Sequence, residues 1–461
     1  MFKQISMLAL GALLIGTSCR KIEVDGTTNT PPTGNTENTI LEGRITSNKT
    51  LKADFVYKLR GLVYVTNGAV LTIEAGTKIV GETGQRGGLI ITRNAKISAD
   101  GTADKPIVFT SEAASPARGD WAGLVILGNA PTNSAFNGTS GVGEIEGGIN
   151  NSDGLGLYGG TNPADNSGTL RYVRIEYAGF AFLPDKEING LTFGGVGNQT
   201  VVDHVQVSYA NDDSFEWFGG TVNCKHLIAY KGLDDDFDTD NGYAGKVQFA
   251  IGFRDSAIAD ISGSNGFESD NDANGSALNP QTGAVFSNVT LIGPKAALNS
   301  AVNSNYRRGM HLRRNSALSV FNSVVMGWST GWLLDASTGT PTDLNIGANK
   351  MVLANNILAG NNTQFSYSAS ASAPTGWASI DVTNYFNRTD GGNTVLATTA
   401  EVGLADPFKY DNTVNFNPTS GSPALTGASF TNAKISSLTQ VSYRGACSDT
   451  DTWWKSWTKF N

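Results

Sequence analysis

LRYVRIEYAG (170–179), VDHVQVSYAN (202–211) and CKHLIAYKG (224–232) are one pattern written three times. Apolar residues recur on a two-residue period, and each copy closes at a Gly or Asn. That is the signature of a short strand ended by a turn. The pattern continues in KVQFAIGF (246–253), VFSNVTLIG (285–293), VFNSVVMG (320–327) and VLANNILAG (352–360). Aligning the central apolar residues gives Val173, Val205, Leu227, Phe249, Val289, Val324 and Ile357, at steps of 32, 22, 22, 40, 35 and 33 residues. A step of about 22 residues fits one bare coil of a stacked solenoid, and the longer steps fit coils carrying loop insertions. GLVYVTNGAVLTIEAGTKIVG (61–81), GGLIITRNAKISADGT (87–102) and DKPIVFTSE (104–112) carry the same strand-and-turn logic toward the N-terminus. The expected fold is all-β: a single-stranded, right-handed parallel β-helix over residues 40–461. A β-propeller would need blades of about 40–50 residues with signatures of their own.

The first residues read differently. Lys3 precedes the apolar run Met7 to Ile15, and Gly16, Thr17 and Ser18 lead into Cys19. This is a secretory signal, 1–18, too short to serve as a membrane-spanning helix. The placement of Cys19 resembles a bacterial lipobox, with Gly16 where that pattern prefers Leu. The resemblance implies lipidation of Cys19, and Arg20 rather than Asp after it implies an outer-membrane address, on the periplasmic or the cell-surface face. Residues 19–39, rich in Thr, Asn, Pro and Gly, read as a flexible tether.

Thirty-three basic against 41 acidic side chains give a net charge of −8. No basic stripe is present to neutralise phosphates, so duplex nucleic acid is not an expected partner. Nucleotide-loop, zinc-finger and nucleophile-elbow motifs are absent from the sequence. Cys224 and Cys447 remain after Cys19; export would permit a disulfide, and their separation neither supports nor excludes one.

GDWAGLVILG (119–128), YGGTNPADNSGTLRYVRIEYAG (158–179), INGLTFGGVG (188–197), DDSFEWFGG (212–220), LDDDFDTDNGY (233–243), ISGSNGFESDND (261–272) and the Trp-rich end resemble a Bacteroidetes-type group of exported, pectin-lyase-like β-helix lipoproteins. The resemblance covers nearly all of residues 40–461. It implies fold and compartment and leaves the activity open.

A second series follows the first within each coil. Phe215, Phe237, Phe267, Met310 and Trp332 recur at steps of 22, 30, 43 and 22. Strand side chains alternate faces. If these five point inward, then Glu216, Asp238, Glu268, His311 and Leu333 form an outward column. Phe218, Asp240, Asp270, Arg313 and Asp335 form the next. Asp212-Asp213 and Asp234-Asp235 lie at the turns before two of these strands, 22 residues apart. Like charges stacked this closely repel, so a cation, a shared proton or the His311 and Arg313 side chains must offset them. Calcium takes six to eight oxygen ligands, and Glu216, Asp238, Asp240, Glu268 and Asp270, with Asp212, Asp213, Asp234 and Asp235, are the metal-ligand candidates. Glu216, Trp217, Phe218 and Arg313 are the candidate ligand-binding surface. The leading reading is capture of a polymeric ligand, a glycan, or of a membrane partner through this strip.

Pectin-degrading β-helices place their sites on the outer face of a sheet, so a polysaccharide lyase or glycoside hydrolase is the alternative. Asp240 or Asp270 would then be the acid, Asp238 or Glu268 the base, and Arg313 a clamp on a uronate. For a lyase, His311 would be the proton abstractor, with Lys231 or Arg314 next. A purely structural or assembly role is the third reading.

His204 and His226 lie 22 residues apart and are expected to stack on another face, with no third metal ligand in register. Trp453, Trp457 and Phe460 share one face of an expected short helix, which would cap the last coil.

Overall fold

The computed structural model describes residues 38–84, 86–181 and 188–461. Cys19, the signal segment and the tether up to residue 37 lie outside the described residues. The chain from Thr39 to Asn461 is one unit, and no helix among the described residues is long and apolar enough to cross a membrane.

Each coil contributes strands to three parallel sheets. The first sheet runs through Gly88–Ile91, Gly123–Leu127, Leu191–Gly194, Phe215–Phe218, Phe237–Asp240, Phe267–Ser269, Arg308–Leu312, Thr330–Asp335 and Thr363–Ser368. The second and third sheets are the two arms of bent strands such as Gly168–Glu176, Val201–Ser208 and Asn223–Tyr230. In these, Arg171 pairs with Asp203 and Val173 with Val205, while the residue between steps out of register. That residue is the bend. Tyr172, His204, His226, Phe249, Asn288, Asn322 and Asn355 all sit there with φ between 50° and 61°. The left-handed region costs little for Asn and more for other side chains, so later coils follow the local preference and earlier ones are held by packing.

This bend corrects the repeat alignment at three coils. Leu227 is in register with Ala250, not Phe249, and Thr290, not Val289, pairs with Val324, carrying Ile357 along by the same residue. Ser287 pairs with Phe321 and Thr290 with Val324, both 34 residues on, so Ser323 stands where Val289 stands one coil earlier, and Phe249 belongs to the bend itself.

The core is a continuous column of like on like. Phe215 stacks on Phe237 at 5.6 Å and Phe237 on Phe267 at 5.9 Å between ring centroids. Cys224 is buried in this column, Cys447 in a second apolar cluster beneath the C-terminal segment, and both are free thiols; the disulfide does not form.

The ends depart from expectation. Residues 453–460 form no helix. Residues from Ser429 onward lie instead along the outside of the bend. Ser429 donates its N–H to Asn322 Oδ1 (3.0 Å), Asn288 Nδ2 donates to the Tyr443 carbonyl (2.9 Å) and Lys459 donates its N–H to Gln206 Oε1 (2.9 Å). Trp454, Trp457 and Phe460 are buried there. The Trp-rich end is thus a strap along one corner. At the last coils the helix Ser379–Phe386 does the capping, with Val382 and Phe386 in the main core and Phe386 5.1 Å from Phe365.

One buried ion pair ties the third sheet to the turn that enters the first. Arg254 donates to Asp236 Oδ1 at 2.8 Å with both side chains fully buried. It also donates to the carbonyls of Leu233 (3.3 Å) and Asp234. Burial pushes the Asp236 carboxyl up to about 6 even against the pull of Arg254. Removing one partner strands the other charge in the core. Arg254→Met is expected to lower unfolding stability by about 3–5 kcal/mol, and Arg254→Met/Asp236→Leu to recover most of it. Urea unfolding of the two variants measures both.

Candidate functional site

The inward series of the first sheet holds in every coil: Phe215, Phe237, Phe267, Met310 and Trp332 are register partners. Glu216, Asp238, Glu268, His311 and Leu333 form the adjoining column, one coil apart in that order. Alternation also places Trp217 inside, fully buried between Phe193 (5.7 Å) and Tyr243 (5.4 Å). Phe218 faces outward but lies under the excursion between residues 128 and 167, its ring 6.1 Å from that of Tyr158. Trp217 is therefore core, and Phe218 is not part of the acidic cleft but lines, with Tyr158, a separate cavity under that excursion.

The strip divides into two halves of different electrostatics. In the later half each acid has a basic partner. Arg313 donates to Asp270 through Nε (2.9 Å) and Nη2 (3.0 Å) and also pairs with Glu268. Arg314 donates to Asp270 at 3.0 Å. His311 lies between Glu268 (Nδ1, 3.2 Å) and Asp335 (Nε2, 3.3 Å). Both imidazole nitrogens face carboxylates, so neither is directed at a substrate proton. Arg313 is likewise committed, which removes the clamp on a uronate. Lys231 lies elsewhere, over the rings of Tyr209, Tyr230 and Tyr410. Burial raises Glu268, but the hydrogen bond from His311 and the charge of Arg313 outweigh it and leave the carboxyl below its ordinary range. Asp335 is held at about 2: burial opposes the shift, and hydrogen bonds from His311 and Ser337 outweigh it.

The earlier half is a cleft of about 510 Å³ lined by Glu146, Asp212, Asp213, Glu216, Asp234, Asp235, Asp238, Asp260 and Glu268, with Asn211, Leu233, Ile261 and Ser262. Its wall carries no Lys, Arg or His among the described residues. Asp213 Oδ1 accepts the Asp235 N–H at 2.7 Å, and Asp235 Oδ1 accepts that of Asn265, so the acidic turns brace one another coil to coil. Glu216 accepts from Asn189 Nδ2. Asp238 Oδ1 and Asp234 Oδ1 are buried with no hydrogen-bond partner. Burial, then the neighbouring carboxylates, push Asp213, Glu216, Asp235 and Asp238 well above the usual carboxylate range. Asp234 is pushed up to about 7, by burial and then by Glu268. Asp240 is also raised, by burial and then Asp270, but lies outside the cleft wall.

Sequence reading misses Glu146, Asp260 and Asn189. Glu146 and Asp260 arrive on insertions between repeat strands, where no periodicity marks their positions, whereas Asn189 stands in the coil before Asp213 at the same turn and accepts the Asp213 N–H at 3.2 Å.

Three overlapping sets in the cleft bring one carboxylate oxygen per residue within 4.8 Å of each other: Asp212, Asp213 and Asp234; Asp213, Glu216 and Asp238; Asp235, Asp238 and Glu268. Two oxygens on one calcium at about 2.4 Å each can be at most about 4.8 Å apart. The all-oxygen donor set and the unpartnered Asp238 Oδ1 fit a hard divalent cation.

The fold and this cleft define a parallel β-helix with a carboxylate-lined groove on one sheet. The chain belongs to the pectate-lyase like beta helix domain family, whose model matches residues 43–403. No curated protein and no solved structure matches it.

Acids raised in the folded state make the cation-free protein lose stability as pH rises. The unfolded chain releases each proton near the ordinary value, while the folded chain holds it; for Asp234 the loss runs from 3.8 to about 7. Glu268 and Asp335, lowered by their hydrogen bonds and, for Glu268, by Arg313, act oppositely and weaken the fold only as pH falls through their folded-state values. In chelator, the melting temperature is expected to fall between pH 5 and pH 8. Asp235→Asn should flatten that slope and raise the melting temperature at pH 8 by roughly 2 °C or more, as read by scanning calorimetry.

Proposed function

We propose that this protein captures an acidic polysaccharide through divalent cations, calcium in the first instance, held in the cleft of the first sheet. One observation carries the reading. Nine carboxylates converge on a cleft wall that carries no Lys, Arg or His among the described residues, with Glu268 the one of them shared with Arg313 and His311, in sets whose spacing suits shared cations. The family description directs attention to polyuronates. An anionic wall repels an anionic polymer unless cations lie between them, and bound cations would bridge the two. Binding is favoured over lyase cleavage because the described residues of the cleft wall offer no Lys, Arg or His to abstract a proton, and His311 is held between two acids. The compartment belongs to the same proposal: a lipid on Cys19 would hold the β-helix on the outer membrane, with residues 19–39 as tether.

Calcium titration of the full chain by calorimetry, followed by retention on immobilised polygalacturonate with calcium or with chelator, tests the reading. The expected result is calcium binding and calcium-dependent retention in the unmutated protein, both weakened at least about tenfold in Asp235→Asn/Asp238→Asn. Equal calcium binding in the two proteins, or none in either, would overturn it. Release of unsaturated or reducing ends from the polymer would move the reading to a lyase or a hydrolase.

A further inference from the structure

The bend between the second and third sheets carries an arrangement that the acidic cleft does not use. His204 and His226 occupy the bend in adjacent coils, with φ of 57° and 53°. Their rings stack at 4.2 Å between centroids and 27° between planes. Tyr172 extends the stack on one side (4.4 Å) and Phe249 on the other (5.3 Å). The strap covers its outer edge, with Trp457 5.7 Å from His204 and Trp453 4.9 Å from His226. Stacking directs both Nδ1 atoms to one place, where Asp203 stands. Its Oδ1 is 2.8 Å from His204 Nδ1 and 2.7 Å from His226 Nδ1. Asp203 is the third ligand that sequence spacing does not supply, because it sits beside the bend rather than in a column one coil away.

Hydrogen bonding satisfies only half of this cluster. His226 Nδ1 bonds Asp203 Oδ1. His204 Nδ1 is buried and makes no hydrogen bond, although the same oxygen is close. The two Nδ1 atoms thus converge on a single carboxylate oxygen, 2.8 and 2.7 Å away, the place where one cation would be shared by all three side chains. Tetrahedral coordination at about 2.0–2.2 Å sets ligand–ligand distances of roughly 3.4 Å, and the three atoms lie within 4.8 Å of one another. The side chains are not sealed off: 12%, 20% and 30% of His204, His226 and Asp203 remain exposed. A water or an external donor could therefore complete the coordination.

We propose that Asp203, His204 and His226 form a binding site for a divalent transition metal of the zinc class at the bend, beneath the C-terminal strap. Two imidazoles and one carboxylate select zinc, cobalt, nickel or copper over calcium, so this site is chemically distinct from the oxygen-only cleft. Metal there joins two adjacent coils and leaves an open coordination position.

The test is titration of the metal-depleted full chain with Co2+ in excess calcium, read by visible absorption and by displacement with Zn2+. The informative variant is His204→Asn/His226→Asn. Asn already occupies this bend at Asn288, Asn322 and Asn355, so the backbone conformation is kept. The unmutated chain should bind one Co2+ that one Zn2+ displaces, and the variant should bind at least roughly 100-fold more weakly. Asp203→Asn should weaken binding as well, while Asp235→Asn/Asp238→Asn should leave it unchanged, separating this site from the cleft. Cu2+ added to the unmutated chain should show electron paramagnetic coupling to two imidazole nitrogens, a readout that needs no variant. Absence of Co2+ uptake by the unmutated chain, equal uptake by His204→Asn/His226→Asn, or Cu2+ coupling to fewer than two nitrogens would each overturn the proposal.

Discussion

Parallel stacking at about 4.7–4.9 Å governs this molecule, because it makes the nearest neighbour of each side chain the residue one coil away. Whatever the sequence repeats at the coil period it concentrates in space. Phe215, Phe237 and Phe267 become an aromatic column, the Asn residues of the bend become a row of amides facing the strap, and His204 and His226 become an imidazole pair. The same rule applied to carboxylates produces the cleft. Asp213 sits against Asp235 and Glu216 against Asp238 through nothing more than a repeat of 22 residues.

That rule also explains which parts of the molecule are legible in the amino-acid sequence. Inward and outward faces of the first sheet follow from alternation alone, and every partner of Phe215 along the sheet is the residue expected. Alternation also counts Trp217 inward, so assigning it to a ligand surface contradicts the rule that places Glu216 outside. Phe249 aligns one residue early because a bulky apolar residue occupies a bend where later coils place Asn; hydrophobicity cannot separate a strand interior from a left-handed corner. The strap is less legible still. The spacing of Trp453, Trp457 and Phe460 suits a helix, but their burial comes from the grooves between stacked coils, which present apolar surface to an extended segment equally well. Glu146 and Asp260 belong to insertions, and an insertion has no register from which its destination can be inferred.

The two halves of the acidic strip solve one electrostatic problem in opposite ways. Where the later coils place His311, Arg313 and Arg314, the acids Glu268, Asp270 and Asp335 are paired within the protein, and the face becomes a closed network. Where the earlier coils offer only Asp and Glu, burial and mutual repulsion raise the carboxyls well above their usual range. In the later half a single coil, with His311, Arg313 and Arg314, supplies the partners of all three acids. Asp213 and Asp235, braced by backbone hydrogen bonds from Asp235 and Asn265, keep their geometry against mutual repulsion at a cost in stability.

The bend offers the complementary case. A left-handed residue is required once per coil at this corner, and Asn meets the requirement with little strain while its amide bonds the strap. His at two adjacent coils meets it less readily and gives up those amide contacts, so strap docking there depends on ring packing against Trp453 and Trp457 instead. Only adjacency converts that local cost into something new. A lone imidazole at a corner is a surface side chain, but two in successive coils, with a carboxylate beside the first, present three donor atoms from two turns of the solenoid to one point. A solenoid can therefore build a coordination site by repeating a single residue once, and oxygen-rich and nitrogen-rich sites can arise on different corners of one chain from the same spacing.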